Sequence, residues 1–385
     1  MTTESGNTER LRRWRLALGE AAEDSTGSLS SSDDSAMDAA LAALYDTAPG
    51  DGTAPRTVGL GASAPRVARW LGDIRTYFPT SVVQVMQRDA VDRLGLTRLL
   101  LEPEMLEAVE PDVHLVGTLL SLNRVMPETT KATARTVVEK VVREIEARIA
   151  QHTHAAVTGA LDRSSRTSNP KLRDIDWDRT IRANLAHYLP EHRTVVPEKL
   201  VGYGRRSQAV KRDVVLAVDQ SGSMASSVVY ASVFGAVLAS MRALRTSLVV
   251  FDTAVVDLTD KLADPVDVLF GTQLGGGTDI NRAIAYSRSL ITRPADSLFV
   301  LISDLYEGGI RAEMLSRIRE MLAAGVQVVV LLALSDDGAP SFDRDNAAAL
   351  AELGVPAFAC TPDRFPELLA VALERGDVGR WSQSV

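Results

Sequence analysis

The sequence predicts an α/β domain, a doubly wound and mostly parallel sheet, preceded by an all-helical N-terminal domain. Three observations carry this. In the first half of the chain, apolar residues recur at spacings of three and four, the helical period. From Asp213 onward they gather instead into short valine-rich runs, the pattern of strands buried on both faces of a sheet. Helical periods fall between those runs, and strand and helix in alternation demand right-handed crossovers with helices on both faces.

The 385 residues suffice for two to three domains at roughly 150 residues each. With 45% hydrophobic and 24% charged residues, collagenous and wholly disordered classes are excluded. Forty-two Lys and Arg against 50 Asp and Glu leave a net charge of −8, so the chain as a whole repels polyphosphate and anionic lipid. Cys360 is the one cysteine, which rules out an internal disulfide and fits a reducing compartment. The polar start, Met1 to Arg10, and an apolar run no longer than Val328 to Leu334, far short of the roughly 18 residues of a membrane span, predict a cytoplasmic protein without signal or anchor.

Leu11, Trp14 and Leu18 mark a first amphipathic helix with Arg12, Arg13 and Arg15 on its polar face. The serine- and acid-rich stretch Asp24 to Asp34 and the small-residue stretch Thr47 to Ala54 hold too little apolar surface to offset ordering and read as flexible linkers around a short helix, Ala36 to Tyr45. Residues 1–56 are therefore expected to be partly disordered. A helical domain, 57–170, follows. Val67, Trp70, Leu71, Ile74 and Phe78 form one stripe, ended by Pro79; helices are expected at Val82 to Leu94, Pro103 to Val109 and Val113 to Arg124, and a long one from Thr130 to about Gln151. Residues 171–212 read as a helix, Trp177 to Tyr188, with Ile181, Leu185 and Tyr188 as its apolar side, then an extended basic connector. Within 213–376, strands are expected at Val214–Val218, Leu248–Phe251, Leu298–Ile302, Val326–Leu334 and Pro356–Ala359. Helices are expected at Val228–Leu244, Ile280–Leu290, Ala312–Ala323, Asn346–Leu353 and Phe365–Leu373, and 377–385 is a tail.

In a doubly wound sheet, ligands sit beyond the carboxyl ends of the strands where strand order reverses. Right after the first strand come Asp219, Ser221 and Ser223, a D-x-S-x-S pattern whose three oxygens lie on alternate residues of one loop, with Gly222 allowing the turn. A glycine-rich loop brings Thr278 and Asp279, and a further strand end brings Ser303 and Asp304. Hydroxyl and carboxylate oxygens are hard donors suited to Mg²⁺ or Mn²⁺.

Together these three segments resemble a von Willebrand factor A (VWA) domain with an intact metal-ion-dependent adhesion site, over about Arg212 to Arg375. The resemblance implies that Ser221 and Ser223 bind the ion directly, that Thr278 does so in one loop state, and that Asp219 and Asp304 act directly or through water. It also implies that Asp279 holds Thr278 through a hydrogen bond. Such an ion, held largely by neutral hydroxyls, stays electrophilic toward a partner's carboxylate. Asp176, Trp177, Thr180, Ile181 and Arg182, then Arg205, Arg206, Lys211 and Arg212 before the first strand, resemble the CoxE-like subgroup of bacterial VWA proteins. That subgroup implies a MoxR-type AAA+ ATPase as partner and an adaptor or co-chaperone role in protein or metalloenzyme maturation; the sequence shows no nucleophile or base placed for catalysis, so no enzyme activity is expected.

The competing reading is RNA binding in the manner of Ro-type proteins, which also join a helical domain to this module; net charge and the lone aromatic Tyr203 in the basic stretch argue against it. Gly275 to Gly277 lacks nucleotide-loop spacing, and no histidine is placed to activate a serine. His152 and His154 are two apart, a poor spacing for one helix face, and Cys360 at a strand end reads as a small buried hydrophobe.

Overall fold

The computed structural model describes residues 2–29, 31–45, 64–94, 96–101, 106, 108–164, 166–167, 175–203, 212–272, 276–336 and 340–383. They divide into two compact units, Met1–Val141 and Val142–Val385.

The first unit is helical: α1 (Thr2–Leu18), α2 (Ser32–Tyr45), α3 (Ala64–Tyr77), α4 (Thr80–Leu94), α5 (Val113–Leu122) and the first part of α6 (Glu128–Ser164). The α3 stripe of Val67, Trp70, Leu71 and Ile74 is buried as predicted, and the Trp70 indole N–H donates to Ala40 O at 2.9 Å. Asp112 caps α5 by accepting from Leu115 N at 2.6 Å. The long helix outruns its expected end near Gln151, because no proline interrupts it and Val157 and Ala160 carry the buried stripe of Val138, Val142, Ile145 and Ile149 onward. The helix expected over Pro103 to Val109 falls largely outside the described residues.

The N-terminal expectations need correction. Asp24 to Asp34 is not a linker: Glu23–Thr26 forms one helical turn, and α2 starts at Ser32. Asp34 is buried, with Arg12 Nε donating to both of its carboxylate oxygens at 2.9 Å. Arg15, expected on a solvated face, is buried and donates to Asp38 at 2.9 Å, whereas Trp14 and Leu18 are more than half exposed. Charge complementarity rather than the apolar stripe attaches α1 to α2. The stretch Thr47 to Ala54 lies outside the described residues.

In the second unit, the helix expected over Trp177 to Tyr188 stops early, as α7 (Trp177–Ala183), and its apolar side Ile181, Leu185 and Tyr188 faces solvent. The residues turned inward are Thr180 and Asn184. The Asn184 amide donates to Thr180 O and Lys199 O, each at 2.7 Å, and accepts from Glu198 N and Lys199 N, using its full capacity to tie the following loop to the helix end. Of the basic connector, Arg205, Arg206 and Lys211 lie outside the described residues, and Arg212 opens the first strand of the main sheet.

That sheet has six strands: β1 (Arg212–Asp219), β2 (Leu244–Phe251), β3 (Val255–Asp257), β4 (Ser297–Ile302), β5 (Gln327–Leu334) and β6 (Ala357–Cys360). Their spatial order is β6-β5-β4-β1-β2-β3, parallel throughout except for the antiparallel edge strand β3. Between the strands run α8 (Ala225–Ala239), α9 (Pro265–Gly271), α10 (Ile280–Leu290), α11 (Arg311–Ala323) and α12 (Arg344–Glu352); α13 (Phe365–Leu373) and α14 (Val378–Gln383) follow β6. The sequence reading missed β3, α9 and α14. Each is three to seven residues long, too short to display a period.

Helix α8 is apolar all round because it lies in the core, with Val229, Val233, Phe234 and Val237 buried and Phe234 meeting Phe365 edge-on at 4.7 Å. Among the described residues, Gly222–Ala239 is the one helix long and apolar enough to cross a membrane, and two-thirds of it is buried inside the domain. Cys360 is buried at the end of β6, and burial pushes its thiol up to about 12. Strand order reverses beside β1, which pairs with β2 on one side and β4 on the other; in register, Asp219 lies opposite Phe251 and Val218 opposite Ile302. The carboxyl ends of the three central strands thus open onto one edge.

Candidate metal centre

Asp219 is the last residue of β1 and is fully buried. Its Oδ1 accepts from Ser221 N at 2.9 Å, and its Oδ2 accepts from Ser303 Oγ at 2.8 Å. A single 3₁₀ turn, Gly222–Met224, then leads into α8, and it brings Ser221 Oγ within 3.3 Å of Ser223 Oγ. Ser223 Oγ donates to Asp304 Oδ2 at 2.8 Å, and Thr278 Oγ1 stands 3.5 Å from Asp219 Oδ1. The five residues singled out from the sequence as metal ligands are therefore brought together as one chain of oxygens, drawn from three loops.

Asp279 N–H donates to Asp252 O at the end of β2 at 2.8 Å, anchoring the Thr278 loop. Contrary to the expectation that it holds Thr278, its carboxylate bonds elsewhere: Oδ1 accepts from Arg282 N at 2.8 Å and caps α10. Thr278 is held from the other side, where Gly308 N donates to Thr278 O at 2.7 Å. A Cβ at Gly308 would stand 2.6 Å from that carbonyl oxygen, so this approach requires glycine. Glu307 accepts from Gly309 N and from Asn281 N at 3.2 Å, stitching the two loops together. Burial, with Asp279 adding repulsion, pushes its carboxyl up.

Asp304 follows β4, and its carbonyl accepts from Asp343 N at 2.9 Å. The next residue, Leu305, is buried with φ at +66°, a left-handed conformation costly for a branched apolar side chain. It is held there by its N–H donating to Ser303 Oγ at 3.1 Å and by Asn346 Nδ2 donating to its carbonyl at 2.9 Å.

Among the described residues the cluster has no counter-charge. Burial pushes the Asp219 carboxyl up, and Asp304 adds to this while the bonds from Ser221 and Ser303 oppose it. Among the described residues neither Asp219 nor Asp304 forms an ion pair. Nor do the described residues include a group of three or more His, Cys, Asp or Glu able to hold a metal, which leaves thiolate- and imidazole-rich metal sites without ligands. Two carboxylates and three hydroxyls, all hard oxygens and electrostatically uncompensated, fit a small divalent cation such as Mg²⁺.

Ser303 was visible in the sequence beside Asp304, but its role in holding Asp219 appears only once β1 and β4 are paired. Glu307, Gly308 and Tyr306 carried no sequence signal beyond proximity to Asp304.

Residues 147–369 match the family model of VWA domain containing CoxE-like proteins. The Escherichia coli (strain K12) protein YehP is 39% identical over 371 residues, which cover 95% of this chain and 97% of YehP. Among solved structures, a von Willebrand factor type A protein from Catenulispora acidiphila aligns at 12% identity over 43% of this chain and 42% of its own, with a TM-score of 0.33. The Ro (RSR) protein of Deinococcus radiodurans aligns at 14% identity over 88% of this chain and 74% of its own, with a TM-score of 0.31. The family match spans more than half of the chain, which belongs to the CoxE-like proteins that contain a VWA domain.

Proposed function

We propose that this protein is a metal-dependent interaction adaptor of the cytoplasm, without catalytic activity, in which Asp219, Ser221, Ser223, Thr278 and Asp304 hold one Mg²⁺ or Mn²⁺. The observation that carries the reading is the convergence of these five oxygen-bearing residues on a fully buried, unpaired Asp219 at the strand-order switch. When bound, the ion offers an open position to a carboxylate. The chain's own part is to prearrange the oxygens: Ser303 orients Asp219, Asp279 and Gly308 hold the Thr278 loop, and Asp343 with Asn346 fixes the Asp304 turn. With its site on loops at the end of a rigid sheet, the domain engages a protein partner through one acid side chain. Family membership supports a MoxR-type AAA+ ATPase, or a client it remodels, as the source of that acid.

Calorimetry of the full chain with Mg²⁺ tests the metal, and interferometry against a MoxR-type ATPase tests the partner. The expected result is one bound ion, lost in Asp219→Ala, and a complex weakened by EDTA, by Asp219→Ala and by Thr278→Ala with circular dichroism unchanged. Equal heats from wild type and Asp219→Ala would overturn the metal assignment. An association abolished by RNase and indifferent to EDTA would favour RNA binding instead.

A further inference from the structure

Beside the candidate metal centre lies an open cavity of about 540 Å³, and two of the metal-site residues, Ser223 and Asp304, form part of its wall. Ser226, Tyr306 and Ser341 stand among the others. Its volume falls in the range of sites that enclose a ligand rather than of surface dimples.

The lining chemistry is specific. Among the described residues Asp304 is the one charged residue on it, and no lysine, arginine or histidine contributes. An anionic occupant would compete with the partner's acid for the ion, and a cationic one would compete with the ion for Asp304. The remaining polar groups are hydroxyls, and part of their hydrogen-bonding capacity is open. Ser227 Oγ accepts from Leu334 N at 3.0 Å and is committed to the fold. Tyr306 OH and Ser341 Oγ bond each other at 2.8 Å, which leaves one of their two protons to donate onward. The walls are fixed in advance: Asp304 O is pinned by Asp343 N and Leu305 O by Asn346, so the segment bearing Tyr306 is held from beneath.

We propose that this cavity receives the residue adjoining the metal-bound acid in a partner's peptide segment, and that it selects an uncharged side chain carrying an amide or hydroxyl. Because the cavity shares Ser223 and Asp304 with the metal site, a peptide whose acid sits at the ion places its neighbouring side chain in the cavity. The assignment rests on the metal-dependent reading above and adds to it a sequence preference in the partner.

The test uses the full chain with Mn²⁺ as the paramagnetic probe and two sets of capped dipeptides, acetyl-Asp-Xaa-amide and acetyl-Xaa-Asp-amide, with Xaa as Gln, Tyr, Ala, Leu, Lys or Glu. Titrations read the Mn²⁺-induced broadening of dipeptide protons. In one of the two sets, Gln and Tyr should bind about fivefold more tightly than Ala and Leu, the worth of one well-made hydrogen bond. The preference should flatten in Ser226→Leu, which intrudes on the cavity, and in Ser341→Ala, which removes a hydroxyl with little change of shape, while Mn²⁺ affinity stays unchanged in both. Bound Mn²⁺ with equal affinities across both sets, or with no dipeptide engaging it, would overturn the cavity assignment and leave the metal site standing. Failure to bind Mn²⁺, or equal binding by Asp219→Asn, would overturn both.

Discussion

Strand β1 carries a buried aspartate at each end, and the two are treated in opposite ways. Asp213, at the amino end, accepts from Arg293 Nη2 at 3.3 Å and from Thr292 Oγ1 at 3.2 Å, so the fold supplies its counter-charge. Asp219, six residues on at the carboxyl end, receives a backbone amide and hydroxyls and, among the described residues, no cation. A buried carboxylate is tolerated where it is paired or where its charge is answered from outside. The amino end of the strand is thus a finished structural joint, while the carboxyl end holds an electrostatic debt that a divalent ion would settle. The same strand shows why chemistry gathers at one edge of a parallel sheet: there the loops, not the packed helices, decide what surrounds the last residue.

The largest expected effect is a difference of sign. With EDTA present, Asp213→Ala should destabilise the second unit by about 1–3 kcal/mol, since it removes bonds to a charged partner. Asp219→Asn keeps the shape of the site and removes an uncompensated charge, with Ser303 Oγ turned to accept from the new amide, so it should leave stability unchanged or raise it by about 1 kcal/mol. Urea unfolding of both variants checks this. Excess Mg²⁺ should then stabilise the wild type and Asp213→Ala but not Asp219→Asn, because only the former retain the site. If Asp219→Asn proved the more destabilising of the two in EDTA, the contrast between the two ends would be false.

A second prediction separates loop position from charge. Gly308→Ala alters no charge, yet its Cβ would stand 2.6 Å from Thr278 O, so the Thr278 loop has to shift. We expect a stability loss of about 1–2 kcal/mol from crowding and, in calorimetry, a weaker Mg²⁺ interaction. Full retention of Mg²⁺ affinity would show that Thr278 lies outside the metal's reach and that Asp219, Ser221, Ser223 and Asp304 suffice.

How much of this was legible beforehand follows from what each feature depends on. Asp219, Ser221 and Ser223 sit within five residues directly after an apolar run, so their convergence is a local matter of one turn. Asp304 could be attached to them because it follows a strand-forming run, and Thr278 because the VWA resemblance assigns a place to the glycine-rich loop before the helix at Ile280. Ser303 as a partner of Asp219 and Gly308 as a partner of Thr278 could not, because their meaning comes from pairings 84 and 30 residues apart that only the sheet order creates. The same holds for Asn184. As a residue type it suggests a turn, and only the folded loop shows its amide meeting four backbone groups. The apolar face of α7 misled for the opposite reason: the period was real, but burial went to the polar residues that close the following loop.

The smallest effect lies in the other unit, where Asp34 extends the comparison to a carboxylate paired across two helices. The guanidinium of Arg12, bonded to it, holds its carboxyl below the ordinary 3.8, against the upward push of burial. A carboxyl lowered in the folded state contributes stability above its unfolded value and loses it as pH falls through the folded one. The pair should therefore support the α1–α2 junction at pH 6 and weaken progressively once the pH drops below 3.8. Arg12 is partly exposed, so solvent screening keeps the contribution below about 1 kcal/mol. Thermal melts of wild type and Arg12→Gln should differ by a few degrees at pH 6 in low salt, less in high salt, and draw together as the pH falls further below 3.8. Identical melts at pH 6 would mean that the pair merely occupies the junction, and that Arg15 with Asp38 carries what attraction the two helices have.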